Sequence, residues 1–142
     1  LSGLRALPAE IADDDFVLVH DAARPCVRPE DIERLIRLAG AADGGLLAAP
    51  VRDTLKRSVD GATVEQTVPR SELWRALTPQ MFRRGALIRA LAAASEQRRT
   101  PTDEAQAIEW AGGRPLLVEG AEDNLKVTTA RDLALAEWLL LR

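Results

Sequence analysis

The chain has one cysteine, Cys26, and one histidine, His20. A single cysteine cannot close an intrachain disulfide, which fits a reducing compartment, and the pair cannot supply the ligand set of a structural zinc. No cysteine or serine sits in a nucleophile-elbow context, so covalent catalysis of that kind has no support in the sequence. No apolar run approaches the length of a membrane span, and the first residues lack the charged, apolar and small-residue order of a secretory signal. A soluble, intracellular (cytoplasmic) protein is expected, with no membrane contact. The net charge is −3, from 19 basic and 22 acidic residues, so the basic excess of a non-specific nucleic-acid binder is also missing. Any anionic ligand has to be met by local cations. Lysine is scarce: Lys56 and Lys126 are the two lysines among the 19 basic residues, the rest being arginine. A lysine kept in an arginine-rich chain marks either a need for a compact point charge or a chance survival. Repeats, low-complexity tracts and flexible linkers are absent, and the chain begins at Leu1 without a methionine.

What is present is 142 residues, 46% of them hydrophobic, enough for a single domain over 1–142 with its own core and too few for two ordinary ones. The stretch from Phe16 to Pro25 ends an apolar run in His20, Asp21, Arg24 and a proline. It reads as a strand covered on both faces that opens into a site, because open α/β sheets place ligands at the carboxyl ends of strands. Residues 1–8 are mildly helical and end at Pro8, and Asp13-Asp14-Asp15 makes a polar turn into the strand. Pro29, Glu30 and Asp31 suit the first turn of a helix, and Ile32, Leu35, Ile36 and Ala39 give it one apolar face. Leu46 to Ala49, stopped by Pro50, is a second strand, and a parallel crossover is the usual way to join such a pair.

From Arg52 to Arg70, Asp60-Gly61 signals a hairpin between flanks of alternating Thr and Val. So few apolar residues cannot hold an isolated hairpin in water, and a second copy of the chain is the simplest support for this arm at about 52–70. Leu73 to Met81, broken by Thr78-Pro79, reads as strand or extended loop. A helix follows from about Gly85 to Gln97. Another opens at Thr100, a cap candidate, with Pro101 at its first position, and ends at Gly112-Gly113. Leu116 to Val118 is a third short strand, and Thr129 with Asp132 forms a capping box before a terminal helix that is expected to be well buried.

On local grounds the candidate site residues keep a plainer reading beside the functional one. Asp21 and Arg24 suit either an ion pair that ties down a loop or a site, and His20 suits a strand-end residue bonded locally. Thr102-Asp103-Glu104 is a helix start whose hydroxyl and free backbone donors are also competent anion contacts. The run from Asn124 to Thr129 is a strand-to-helix turn in which the scarce Lys126 stands out.

Taken in order, Val19-His20-Asp21-Ala22-Ala23-Arg24-Pro25, Ala49 to Thr54, Arg70 to Gln80, Thr102 to Ala105, Val118-Glu119-Gly120 and Asp123 to Thr128 closely resemble the 2-C-methyl-D-erythritol 4-phosphate cytidylyltransferases, over nearly the whole chain. The resemblance implies a three-layer, Rossmann-like α/β nucleotidyltransferase fold. Its sheet would be mostly parallel, and a protruding β-hairpin arm would make a homodimer. It implies transfer of CMP from CTP to methylerythritol phosphate with release of pyrophosphate, in non-mevalonate isoprenoid biosynthesis, with a divalent cation such as Mg²⁺. By position, Asp21, Arg24, Thr54, Arg70, Thr78, Thr102 and Lys126 would bind the sugar phosphate. Arg70 and Lys126 would orient its phosphate, Thr54 and Arg70 would serve the neighbouring subunit's site, and Asp21 would also lie near the cation.

The chemistry accounts for the missing nucleophiles. A phosphate oxygen is already ionised at neutral pH, so the work is positioning and charge stabilisation rather than general-base catalysis. The family's glycine-rich loop, with the Arg and Lys that hold the CTP phosphates, has no counterpart in these residues. The 142 residues alone are therefore expected to lack activity, and the sheet to lack its first strand. A ribitol 5-phosphate cytidylyltransferase and a non-catalytic dimerisation or sugar-phosphate-binding fragment are the alternative readings.

Overall fold

The computed structural model describes residues 1–142. Its elements are α1 (Ser2–Arg5), β1 (Phe16–Val19), α2 (Pro29–Ala39), β2 (Gly45–Pro50), β3 (Leu55–Arg57), β4 (Gln66–Val68), β5 (Trp74–Arg83), α3 (Arg84–Glu96), α4 (Glu104–Trp110), β6 (Leu116–Glu119) and α5 (Ala130–Leu140). Four strands make one sheet in the order β1-β5-β2-β6, and β3 with β4 makes a separate two-stranded ribbon. β5 runs antiparallel to both β1 and β2, whereas β2 and β6 are parallel. Strands β1, β2 and β6 therefore point the same way, with β5 running against them.

Alternation along the central strands builds three layers. Leu46 and Phe82 pack on one face with Leu87 and Ala90 of α3 and Ala105, Ala107 and Ile108 of α4. Leu47, Ala49, Leu77, Met81 and Val118 pack on the other with Leu35 and Ala39 of α2. Neighbouring residues thus enter opposite cores, which is why β2 reads as an unbroken apolar run. Truncating a fully buried aromatic such as Phe82 to alanine costs about 3–5 kcal/mol. The turn into β2 needs glycine: Gly44 has φ +96, and a Cβ there would lie 2.3 Å from the Met81 carbonyl oxygen.

Several sequence expectations change. β1 is an edge strand whose cover is incomplete: Val17 and Val19 pack against one core and Phe16 against the other, while Leu18 is exposed. β1 and β2 run parallel, as expected for a crossover through α2, with β5 inserted between them. β5 continues through Thr78-Pro79. Leu46 pairs with Gln80 and Ala48 with Ala76, so Leu77, Thr78 and Pro79 face Leu47 alone. Proline is tolerated in this bulge, and a bulge re-aims the side chains it carries. The expected cap at Thr100 gives way to Asp103, whose carboxylate accepts from the Gln106 N–H, so α4 starts at Glu104.

The hairpin forms, but its strands are short, and Asp60 organises a longer loop between them by accepting from the Ala62 and Thr63 N–H groups and the Ser58 and Thr63 hydroxyls. α5 has its capping box as expected. It is not well buried: Ala136 alone is buried, while Leu133, Leu135, Trp138 and Leu140 are exposed.

Candidate functional site

At the carboxyl end of β1 the chain turns at once, and the Arg24 N–H donates to the Asp21 carbonyl at 2.9 Å. This turn puts the Asp21 carboxylate and the Arg24 guanidinium on the same side, with Arg24 Nε 3.4 Å from Asp21 Oδ2. Lys126 arrives from the loop after β6 and places Nζ 3.1 Å from the same oxygen. That loop is pinned from below. Buried Asp31 of α2 accepts from the Ala121 N–H at 2.8 Å, Arg34 donates to the Glu119 carbonyl, and the Val127 N–H donates to the Ala23 carbonyl at 2.7 Å.

The floor of the site is the bulge of β5. Thr78 Oγ1 accepts from the Asp21 N–H at 3.1 Å and lies 2.9 Å from His20 Nδ1. Asn124, fully buried, donates from Nδ2 to the Thr78 carbonyl at 2.8 Å, and its own backbone carbonyl accepts from Arg24 Nη1 at 2.8 Å. On the far wall, buried Gln80 donates to the Asp103 carboxylate at 2.9 Å and accepts from the Ala105 N–H at 2.8 Å, which fixes the start of α4 against β5. Thr102 stands on the rim just before that start.

These elements enclose a cleft of about 510 Å³ whose lining includes Asp21, Arg24, Thr78, Thr102 and Lys126. Five of the seven residues singled out in the sequence therefore share one cavity. Thr54 and Arg70 do not line it. They sit at the base of the arm, exposed, where Arg70 donates to the Arg52 carbonyl. Gln80 and Asn124 were not singled out as site residues; both lie inside the motif runs, but only their burial shows that they hold the cleft in shape.

Electrostatically, Asp21 is the shared partner of two cations. Partial burial alone would raise its carboxyl pKa, but the hydrogen bond and charge of Lys126, with the charge and bond of Arg24, outweigh it and hold the group below the usual carboxylate value. Around Asp21 two cations face one carboxylate, while Asp103 and Glu104 line the opposite wall, so the end of the cleft at Arg24 and Lys126 is the one suited to an anion. The same arrangement decides the fit of a metal. Asp21 Oδ2 is already shared by Lys126 and Arg24, and no group of three His, Cys, Asp or Glu residues converges anywhere in the chain. The side chains here form no preassembled carboxylate cage, and a Mg²⁺ bridging one carboxylate to substrate phosphates would need none.

The family model for 2-C-methyl-D-erythritol 4-phosphate cytidylyltransferase (IspD) matches residues 1–142. The chain belongs to this family. A curated 2-C-methyl-D-erythritol 4-phosphate cytidylyltransferase of Xanthomonas axonopodis pv. citri is 59% identical over 141 residues, which are 99% of this chain and 53% of that protein. The enzyme of the same name from Stenotrophomonas maltophilia is 57% identical over 144 residues, covering 100% of this chain and 62% of that protein. The chain thus spans somewhat more than half the length of these relatives. A crystal structure of a 4-diphosphocytidyl-2C-methyl-D-erythritol synthase superposes with a TM-score of 0.89 at 48% identity, covering 98% of this chain and 64% of that one. The 2-C-methyl-D-erythritol 4-phosphate cytidylyltransferase from Thermus thermophilus superposes at 0.86 with 33% identity, covering 98% of this chain and 66% of that one. As a cytidylyltransferase family member the chain has the Rossmann-like α/β fold of these structures, and none of its helices is long and apolar enough to cross a membrane.

Proposed function

We propose that the protein transfers CMP from CTP to 2-C-methyl-D-erythritol 4-phosphate, releasing pyrophosphate, in non-mevalonate isoprenoid biosynthesis in the cytoplasm. The observation that carries this reading is the single cleft in which Arg24 and Lys126 share the Asp21 carboxylate beside Thr78 and Thr102. A phosphomonoester has its second ionisation near pH 6, so it reaches the cleft largely as a dianion. It then competes with Asp21 for the two cations. Its oxygen attacks the α-phosphorus of CTP, a new P–O bond forms, the bond from the α-phosphorus to the bridging oxygen breaks, and pyrophosphate leaves with the electron pair. No base is needed. What this chain supplies is alignment and charge.

Arg70 and Thr54 are proposed to complete the cleft of a second protomer, with the arm as the contact of a homodimer. Support comes from their position: the arm is exposed, with Val59 and Val64 largely in solvent, and these two residues lie outside the cleft of their own chain. Mg²⁺ is proposed to enter on the triphosphate, as part of the nucleotide substrate. The named relatives favour methylerythritol phosphate over ribitol phosphate. The test is CMP transfer by the full-length enzyme to both sugar phosphates. Preference for methylerythritol 4-phosphate is expected, and a clear preference for ribitol 5-phosphate would overturn the assignment.

A further inference from the structure

We infer that Thr78 and His20 are positioning residues that preset the Asp21–Arg24 turn, and that the Thr78 hydroxyl proton is committed to His20 and is not offered to a phosphate. The inference rests on the proposed sugar-phosphate reading of the cleft for its kinetic consequence, though not for its hydrogen-bond pattern.

The direction of every bond in the network follows from elementary chemistry. The Arg24 carbonyl can only accept, so His20 Nε2, 3.1 Å away, carries a hydrogen. In a neutral ring Nδ1 then has a lone pair and no hydrogen. The Asp21 N–H can only donate, so Thr78 Oγ1 accepts from it at 3.1 Å. The remaining 2.9 Å bond has one assignment: the Thr78 hydroxyl donates to His20 Nδ1. The chain of bonds runs from the Asp21 N–H through Thr78 and the imidazole to the Arg24 carbonyl, and it closes a ring around the turn already held by the Arg24 N–H and the Asp21 carbonyl.

Thr78 is tied to the same turn a second time. Its carbonyl accepts from Asn124 Nδ2, and the Asn124 backbone carbonyl accepts from Arg24 Nη1. Backbone and guanidinium of Arg24 are thus both referred to one bulged residue of β5. A hydroxyl has one proton and two lone pairs, so buried Thr78 is left with a single lone pair, which an anion cannot use. This separates Thr78 from Arg24 and Lys126, which have donors to give.

His20 is the one histidine of these 142 residues, and a ¹H–¹⁵N imidazole spectrum of the full-length protein at pH 8, with this ring assigned by its loss in His20→Asn, reads its tautomer. The Nε2–H tautomer is expected, shifting toward a tautomer mixture in Thr78→Val and restored in Thr78→Ser. An Nδ1–H tautomer in the unsubstituted protein, or a Thr78→Val spectrum unchanged from it, overturns the inference. In the full-length enzyme, Thr78→Val should raise KM for methylerythritol 4-phosphate about ten-fold, the scale of one or two lost neutral hydrogen bonds, with KM for CTP unchanged. Thr78→Ser should recover most of the loss. An equal rise in both KM values means a general structural role and counts against positioning. Absence of CMP transfer by the unsubstituted enzyme would sink the proposed function while leaving the tautomer result to stand or fall separately.

Discussion

Arg24 and Arg70 are both arginines that the family resemblance assigns to the sugar phosphate, and they are held in opposite ways. The Arg24 side chain is 13% exposed and bonded to Asn124 across 100 residues of sequence. Arg70 is exposed at the base of the arm and bonded to Arg52, close by in the same segment. The cleft is assembled by long-range bonds from β1, β5, the loop after β6 and the start of α4. The arm is held by its own ladder, from Leu55–Val68 to Arg57–Gln66, and by the Asp60 loop. A group held by distant parts of one chain is already oriented before ligand arrives, and a group held locally needs an outside surface to orient it.

Removing charge from the cleft should have the largest effect. Lys126→Ala should lower CMP transfer by about 10²-fold or more, the scale for losing a preorganised charge contact, with the melting temperature little changed. The arm should behave differently. Arg70→Ala and Lys126→Ala are each expected to be nearly inactive alone, yet a mixed dimer of the two should regain one intact site, because each subunit lends what the other lacks. No recovery in the mixed dimer would show that Arg70 acts within its own chain.

Stability offers a smaller contrast. Asn124→Ala removes a buried donor and leaves the Thr78 carbonyl unpaired, at a cost of about 1–3 kcal/mol by denaturant unfolding. Arg52→Ala, which breaks an exposed pair with Glu122 at the foot of the arm, should leave the unfolding midpoint in place. Acid gives a small effect. Hydrogen bonds from the Thr128 backbone and side chain, and from Thr129, pull the Asp132 carboxyl down to about 2. A depressed folded-state pKa stabilises the fold above the unfolded value of about 4. That contribution fades as pH falls through about 2. The melting temperature of Asp132→Ala should therefore depend less steeply on pH between about 4 and about 2 than that of the unsubstituted chain. Asp21, whose folded pKa is also lowered, adds to the unsubstituted slope with the same sign.

Local pattern made much of this legible. Pro29 with Glu30 and Asp31 announced α2, Thr129 with Asp132 announced the cap of α5, and the apolar run ending in Asp21 marked the mouth of the cleft. What stayed hidden was set by partners far away in sequence. Nothing within Phe16 to Val19 says that β5 will pair with it antiparallel, and nothing within Leu133 to Leu141 says that no other part of the chain will cover them. At α4 two local signals competed, and Asp103 won because its carboxylate reaches the Gln106 N–H while its other oxygen is held by Gln80 of β5. The contact of the Thr78 hydroxyl with His20 likewise joins residues 58 apart in sequence, which no local pattern announces.

In the proposed function the cleft around Arg24 receives the sugar phosphate and not the nucleotide. Steady-state kinetics of full-length Arg24→Ala, with both substrates varied, tests it most directly. The claim predicts a KM for methylerythritol 4-phosphate raised at least about ten-fold, the effect of losing a charge-assisted bond, with the KM for CTP unchanged. A raised KM for CTP with an unaltered KM for the sugar phosphate would contradict it.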